Sequence, residues 1–432
     1  MLGRRSWRRA GVPAAALIAV GMLLVACADV PSAPTPTASA SESRAPGDGI
    51  LRIGTLLPTS GDDTSHGPGL VAAVRAAVRE INVAGGVLGE RVELVSRSSG
   101  GDLAGAEAAV AELIAAGVDA IVGPTEAPLA VRAAQLASEA GIPVMAVATG
   151  SPQVASADDD DWLFRTTPGL AVQGAALGAQ LVADGARSVA LVTVNGPDGM
   201  PILDGLGPAV RAGGGEIVSV QRIDYSTPAD AFDRVDYVDI PTGVAMRLAE
   251  LAPDAVVVAT ADGGEATQRV LRALAELGPG DATVWLASGS AVDYSDTDAD
   301  EAVASATAIR SGVQGDADFQ RRVRQEDPGA KNLSYAADAY DATMLLGLAA
   351  VAAGGDAGWQ LRTALRGVSA EGTDCTSFGE CIVILSDGHD LDYEGVSGPI
   401  EFTAVGDVGM AAFGLFSYSD RGELSWTSDL VG

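Results

Sequence analysis

The sequence predicts an α/β protein of two doubly wound, Rossmann-like lobes. Three observations carry that prediction. Apolar strands alternate with amphipathic helices from residue 50 to residue 287. Strands such as Ala255-Val256-Val257-Val258-Ala259 are apolar without a break, which means burial on both faces and so parallel sheets covered by helices. Roughly 380 residues follow Gly49, more than a single core normally holds.

The elements follow in order. Residues 50–57 read as a strand that ends in Pro58-Thr59-Ser60-Gly61. A helix over 69–83 places Leu70, Val71, Val74, Val78 and Ile81 at helical spacing, with Arg75 and Arg79 opposite, and Gly85-Gly86 stops it. Residues 91–96 form a strand, and Asp102 caps a helix reaching residue 116. A strand over 120–122 ends in Gly123-Pro124, a helix covers 128–140, and a strand over 144–147 ends in Ala148-Thr149-Gly150-Ser151. The pattern restarts after Thr166-Thr167-Pro168. Helices over 172–183, 200–212, 245–251 and 266–277 alternate there with strands over 188–194, 216–221, 255–260 and 283–287. The last third departs from alternation. Residues 333–352 read as one long helix with Tyr335, Ala336, Ala339, Tyr340, Thr343 and Met344 in its packed face. A shorter helix covers 359–366, residues 391–398 are turn-rich, and strands are expected over 400–402 and 414–419.

The N-terminus carries a different signal. Arg4, Arg5, Arg8 and Arg9 precede an apolar run over 12–25, which ends at Leu24-Val25-Ala26-Cys27. The run is too short to span a bilayer comfortably. The arrangement resembles a bacterial lipoprotein signal peptide, which implies removal of residues 1–26 and lipid on the Cys27 sulfur. A plain secretory signal with an incidental cysteine is the competing explanation. Arg4-Arg5 permits twin-arginine export, although the residues after it fit that signal poorly. Residues 27–48 are rich in Pro, Ser, Thr and Ala, so they form a flexible tether. The expected location is the extracytoplasmic face of the cell membrane, lipid-anchored.

The formal net charge is −30, and the four N-terminal arginines make the remainder more negative still. Such a charge repels phosphate backbones and excludes nucleic acid as a partner. Cys375 and Cys381 lie close together in an exported chain, so a local disulfide is expected. Zinc is the competing use, but it needs further ligands, and His66 and His389 are not at ligand spacing from that pair. Asp296, Asp298 and Asp300 lack the glycine and distal glutamate of a calcium loop and read as a solvated acidic loop, as do residues 158–161. No nucleophile elbow, phosphate-binding loop or His-Glu-x-x-His motif is present. No catalytic residue, metal or cofactor is therefore assigned. A glycosidase-like carboxylate pair cannot be located in a chain this acidic.

Ligands of doubly wound folds bind outside the carboxyl ends of the strands. Here those ends carry Ser60 and Gly61, Thr125 and Glu126, Thr149 to Ser151, Asn195, and Thr260 to Asp262. Bland alternatives stand beside each. Thr149 to Ser151 also fit a loop start before Pro152. Glu126 fits a favourable charge at a helix N-terminus, and Asp262 a solvated acid.

Several segments share one order and spacing with a known family: 53–61 (Ile-Gly-Thr-Leu-Leu-Pro-Thr-Ser-Gly), Glu80-Ile81-Asn82 with Gly85, Gly86 and Gly89, Val122-Gly123-Pro124, Gly141-Ile142-Pro143-Val144, Pro253-Asp254-Ala255-Val256-Val257, and Tyr393-Glu394-Gly395 with Gly398-Pro399-Ile400. In these the chain resembles the leucine/isoleucine/valine type (type I) of periplasmic binding protein, in its lipid-anchored form. The resemblance implies two lobes joined by a three-crossing hinge. They close on a small polar solute, a branched-chain or other amino acid or a related amide, and deliver it to an ABC permease. By that likeness the crossings fall near Thr166, Gln314 and Pro399. Lobe one is then 49–166 plus 315–398, and lobe two 167–314 plus 399–432.

The resemblance also implies that hydroxyls and main-chain N–H groups of lobe one hold a carboxylate, while acidic or aromatic groups hold an ammonium. Ser60, Gly61 and the Thr149–Gly150–Ser151 turn fit the first role by position, and His66 with Gly67 sits at the cleft mouth. The chain departs from the family at Ala127, which stands where a hydroxyl is expected, with Thr125 as the alternative. Asp262 stands where an aromatic residue is common, and the Ser288-Gly289-Ser290 turn lacks an acid, leaving Asp262 for the ammonium. The same lobes also serve a sensor partnered with a signalling receptor. An envelope hydrolase is the third class, separated from the others by turnover.

Overall fold

The computed structural model describes residues 46–60, 65–159, 161–194, 199–223, 240–260 and 262–432. Five strands form the first sheet: β1 (Arg52–Leu57), β2 (Glu93–Ser98), β3 (Ala120–Val122), β4 (Val144–Ala146) and β5 (Leu163–Arg165). All are parallel, in the order β2-β1-β3-β4-β5. The helices between them are α1 (Gly67–Val83), α2 (Leu103–Ala115), α3 (Ala127–Glu139) and the short α4 (Pro152–Ala155). Strand β1 is buried from Ile53 to Leu57, as its unbroken apolar run requires for a strand covered on both faces. Asp102 caps α2 by accepting a hydrogen bond from the Gly105 N–H at 2.7 Å.

The second sheet is built the same way from β6 (Ser188–Val194), β7 (Glu216–Ile223), β8 (Ala255–Thr260), β9 (Thr283–Ser288) and β10 (Thr307–Ser311), all parallel. Its helices are α5 (Leu170–Ala183), α6 (Gly199–Ala212), α7 (Ile240–Leu251) and α8 (Glu265–Leu277). The chain then returns to the first lobe. There α9 (Ala317–Glu326), α10 (Ala336–Ala353), α11 (Gly358–Ala364) and α12 (Phe378–Ser386) follow, and α9, α10 and α12 pack on α1. A small sheet joins β11 (Thr373–Cys375), β12 (Leu391–Gly395) and β13 (Gly398–Pro399). Cys375 and Cys381 form a disulfide that ties β11 to α12, with their Cα atoms 5.4 Å apart. Finally β14 (Ala412–Tyr418) and β15 (Leu424–Val431) add antiparallel to the second sheet beside β10. The chain therefore passes three times between two doubly wound lobes.

Helices α5 and α6 approach closely because glycines face each other. A Cβ at Gly174 would run into the Ile202 carbonyl oxygen, and one at Gly205 into that of Ala171. Alanine in a free helix is more favourable than glycine by about 1 kcal/mol. Here overpacking reverses the sign, and Gly174→Ala is expected to cost about 1–3 kcal/mol, measured by denaturant unfolding. A stabilised variant would show that the two helices have room to spare.

Four sequence expectations need correction. The long helix begins at Ala336, because Tyr335 adopts a left-handed φ of 61° that helical residues avoid. This helix is long and apolar enough to cross a membrane, yet it is mostly buried and forms the core of the first lobe. Residues 391–398 hold the strand β12 up to Gly395 and only then a turn at 396–397 before β13: Leu391 and Tyr393 point inward while Asp392 and Glu394 are only partly covered, a short period-two pattern hidden among acidic residues. Residues 400–402 form no strand, and Phe402 makes only an isolated bridge to Val408. Strands β5, β10 and β15 and helices α9 and α12 were not anticipated from the sequence.

Candidate functional site

The winding direction reverses between β1 and β3 in the first sheet and between β6 and β8 in the second. Crevices form outside the carboxyl ends of strands at such switch points. A single cleft of about 550 Å³ touches the strand ends of both sheets. The first lobe contributes Pro58 after β1, His66 ahead of α1, Thr125 and Glu126 after β3, and Ala148 to Ser151 after β4. The second contributes Leu170 and Gln173 of α5, Asp262 and Gly263 after β8, Ala291 and Val292 after β9, and Arg310 and Ser311 at the end of β10. Tyr335 completes the lining.

Local structure explains these placements. Gly123 has a φ of 100°, and a Cβ there would strike the Leu56 carbonyl oxygen, so only glycine makes the turn that delivers Thr125 and Glu126. Glu126 takes the N-cap position of α3 in extended geometry, but its side chain makes no cap hydrogen bond. The Thr149–Ser151 turn is held from behind by Arg165, whose Nη1 donates to the Thr149 carbonyl at 3.3 Å and the Ser151 carbonyl at 2.7 Å. The Ala148 N–H donates to the Thr167 hydroxyl at 2.8 Å, which fixes the start of the same turn. On the opposite wall Asp262 accepts from the Gly264 N–H at 2.8 Å, and its carbonyl accepts from the hydroxyls of Thr260 at 2.8 Å and Thr267 at 2.7 Å. Gln173 and Ser311 are joined at 3.3 Å across the cleft floor.

His66, Thr125, Glu126, Thr149, Gly150, Ser151 and Asp262, all expected from the sequence, thus line one cleft. Ser60 is not among its lining residues; its hydroxyl pairs with that of Ser98 at 2.8 Å, a partner that sequence spacing does not reveal. Gly61, Asn195 and Cys27 lie outside the described residues. Among the described residues, no group of three or more His, Cys, Asp or Glu could hold a metal ion.

Two ionisable cleft residues, Tyr335 and Arg310, escaped the sequence reasoning. Tyr335 was expected inside the helical core. Its left-handed backbone instead places the ring in the cleft, 5.9 Å from that of His66. Burial pushes the Tyr335 phenol above its ordinary pKa, and the charge of the nearby Arg310 guanidinium opposes that shift. Arg310 itself lies one residue before the end of β10, a strand not expected from the sequence. Recognising that strand would have put a cation at a strand end. With Pro58, Leu170, Ala291 and Val292 supplying apolar wall, the cleft suits a small solute that carries charge and an apolar body.

The sequence model of the periplasmic binding protein family matches residues 50–392. The Leu/Ile/Val-binding protein BraC3 of Rhizobium johnstonii is 27% identical over 183 residues, 42% of this chain and 48% of that protein. The chain thus spans about half the length of the curated relatives it matches. Among solved structures, an ABC transporter substrate-binding protein from Desulfitobacterium hafniense in complex with Leu aligns with a TM-score of 0.65 at 19% identity, covering 88% of this chain and all of that one (100%). A solute-binding protein of an ABC transporter from R. palustris in complex with benzoate aligns with a TM-score of 0.57 at 20% identity, covering 89% and 98%. At these identities the structural likeness concerns the fold.

Proposed function

This chain belongs to the periplasmic binding protein family, and on that premise we propose that it is the solute-binding lipoprotein of an ABC importer. It works outside the cytoplasmic membrane, tethered through lipid on Cys27 and residues 27–48. It captures an amino acid or a related small solute between its lobes and presents the closed form to a permease. It binds without turnover. Lobe one comprises 49–166 and 315–398, and lobe two 167–314 and 399–432.

The observation that carries this reading is the composition of the cleft. Glu126 and Asp262 offer two carboxylates and Arg310 one guanidinium, around an apolar patch at the switch points of both sheets. A charged solute taken out of water needs paired partners, or its burial costs several kcal/mol. This cleft supplies partners of both signs, as a zwitterion requires.

The test is a thermal-shift and calorimetry screen of the ligand-stripped full chain. The panel holds aliphatic, acidic and basic amino acids, short amides and aromatic acids. A solute at about 100 times its Kd stabilises the fold by about 2.7 kcal/mol. Glu126→Gln or Asp262→Asn is expected to weaken binding of an α-amino acid by about tenfold or more, since each removes a charged acceptor. Folded protein that binds no member of the panel would overturn the reading.

A further inference from the structure

Resting on the solute-binding reading above, we infer that Arg310 of the second lobe is the anchor for a carboxylate on the solute. The cleft then selects acids over their neutral or amide counterparts. The guanidinium is half-buried at the carboxyl end of β10, inside the cleft. A guanidinium withdrawn from water has five N–H donors and a fixed charge, and it calls for an anion. Among the described residues, no carboxylate forms an ion pair with it. Asp262, on the same wall, spends one oxygen on the Gly264 N–H at 2.8 Å.

What does touch Arg310 orients it without neutralising it. Its guanidinium carbon lies 5.5 Å from the centre of the Phe416 ring, in a cation–π contact. Tyr335 lines the same part of the cleft, and its ring rests against Gly312 just beyond β10, where a Cβ would leave too little room. An aromatic face supports the planar fork, whose geometry matches the paired oxygens of a carboxylate. The anion site therefore lies on the second sheet, at the junction with the first turn of α10, and does not depend on the hydroxyl missing at Ala127.

The experiment compares matched probes that differ only in the acid group: L-leucine with L-leucinamide, and benzoate with benzamide. Affinities are measured by calorimetry on the ligand-stripped full chain, for wild type, Arg310→Gln and Arg310→Lys. The acid member of the bound pair is expected to bind wild type at least about 30-fold more tightly than its amide, and Arg310→Gln to erase that preference. Arg310→Lys keeps the charge without the fork and is expected to retain part of the preference, which serves as the readout should the glutamine variant fail to fold. A preference that survives in Arg310→Gln, or is as large in Arg310→Lys as in wild type, overturns the assignment while leaving solute binding intact. A wild-type protein that binds none of these probes, nor any member of the wider panel, overturns the solute-binding reading itself.

Discussion

Asp407→Ala is expected to cost the folded protein about 3–5 kcal/mol, because it strands a buried cation. Arg165 is 1% exposed and Asp407 16%. The guanidinium meets both carboxylate oxygens, Nε to Oδ1 and Nη2 to Oδ2, each at 2.5 Å. Its third nitrogen is already committed to the Thr149 and Ser151 carbonyls. With Asp407 removed, no other carboxylate among the described residues pairs with the charge. The complementary variant separates this from mere loss of a contact. Arg165→Met takes the charge away, and the partly exposed Asp407 recovers water, so the loss should be clearly smaller. For a chain of this length the Asp407→Ala loss corresponds to a drop in Tm of roughly 4–6 °C. Because the same arginine braces the Thr149–Ser151 turn, solute affinity should fall as well. Equal losses in the two variants would mean that packing, and not charge burial, gives this pair its weight.

The pair also marks where sequence reasoning stops. Arg165 and Asp407 are 242 residues apart, and no spacing rule joins them. The strand-end residues Thr125, Glu126, Thr149, Ser151 and Asp262 were legible because each follows an unbroken apolar strand and precedes a helix. Arg310 was not, since β10 follows an acidic loop and only a single 3-10 turn over Glu301–Val303, with no α-helix directly before it to announce a further repeat. Tyr335 was misplaced for a local reason. Its spacing to Ala339 is helical, and nothing in the side chains reveals the left-handed φ that turns it out of the helix. Ser60 failed for a tertiary one, its hydroxyl being drawn to Ser98 on the neighbouring strand. The repeated strand-helix pattern thus carries the fold and the strand-end part of the cleft, while long-range pairing and single backbone departures decide which further side chains line it.

Raising the pH from about 5 to 8 is expected to destabilise the protein, and Asp338→Asn to remove a large part of that dependence. Asp338 is fully buried in the first turn of α10. One carboxyl oxygen accepts from the Thr167 hydroxyl at 2.8 Å, and the other is buried with no hydrogen-bond partner. Burial pushes this carboxyl up from 3.8 to about 7, with the nearby Asp341 adding to the shift and the Thr167 hydrogen bond opposing it. The folded state therefore keeps a proton that the unfolded chain releases. Stability from this group is fully present below about pH 4 and is lost as the pH rises through about 7. Between those limits it falls by about 1.4 kcal/mol per pH unit. Asp119, pushed by burial to about 7, acts in the same direction. Asp254 acts in the opposite sense, since hydrogen bonds from Arg187 and Ser188 hold its carboxyl below the usual range, but its influence is confined to more acidic solution. Asparagine at 338 cannot ionise, so the slope left in Asp338→Asn reports Asp119 and the remaining groups. The site matters beyond stability. The Thr167 hydroxyl that donates to Asp338 also accepts from the Ala148 N–H, where the cleft turn begins, and the Thr166 hydroxyl donates to the Asp338 carbonyl at 2.9 Å. Ionising Asp338 thus places a charge two hydrogen bonds away from the cleft turn. Denaturant midpoints at pH 5, 6.5 and 8 decide the matter: a wild type whose stability rises across that range would show that Asp338 is ionised throughout.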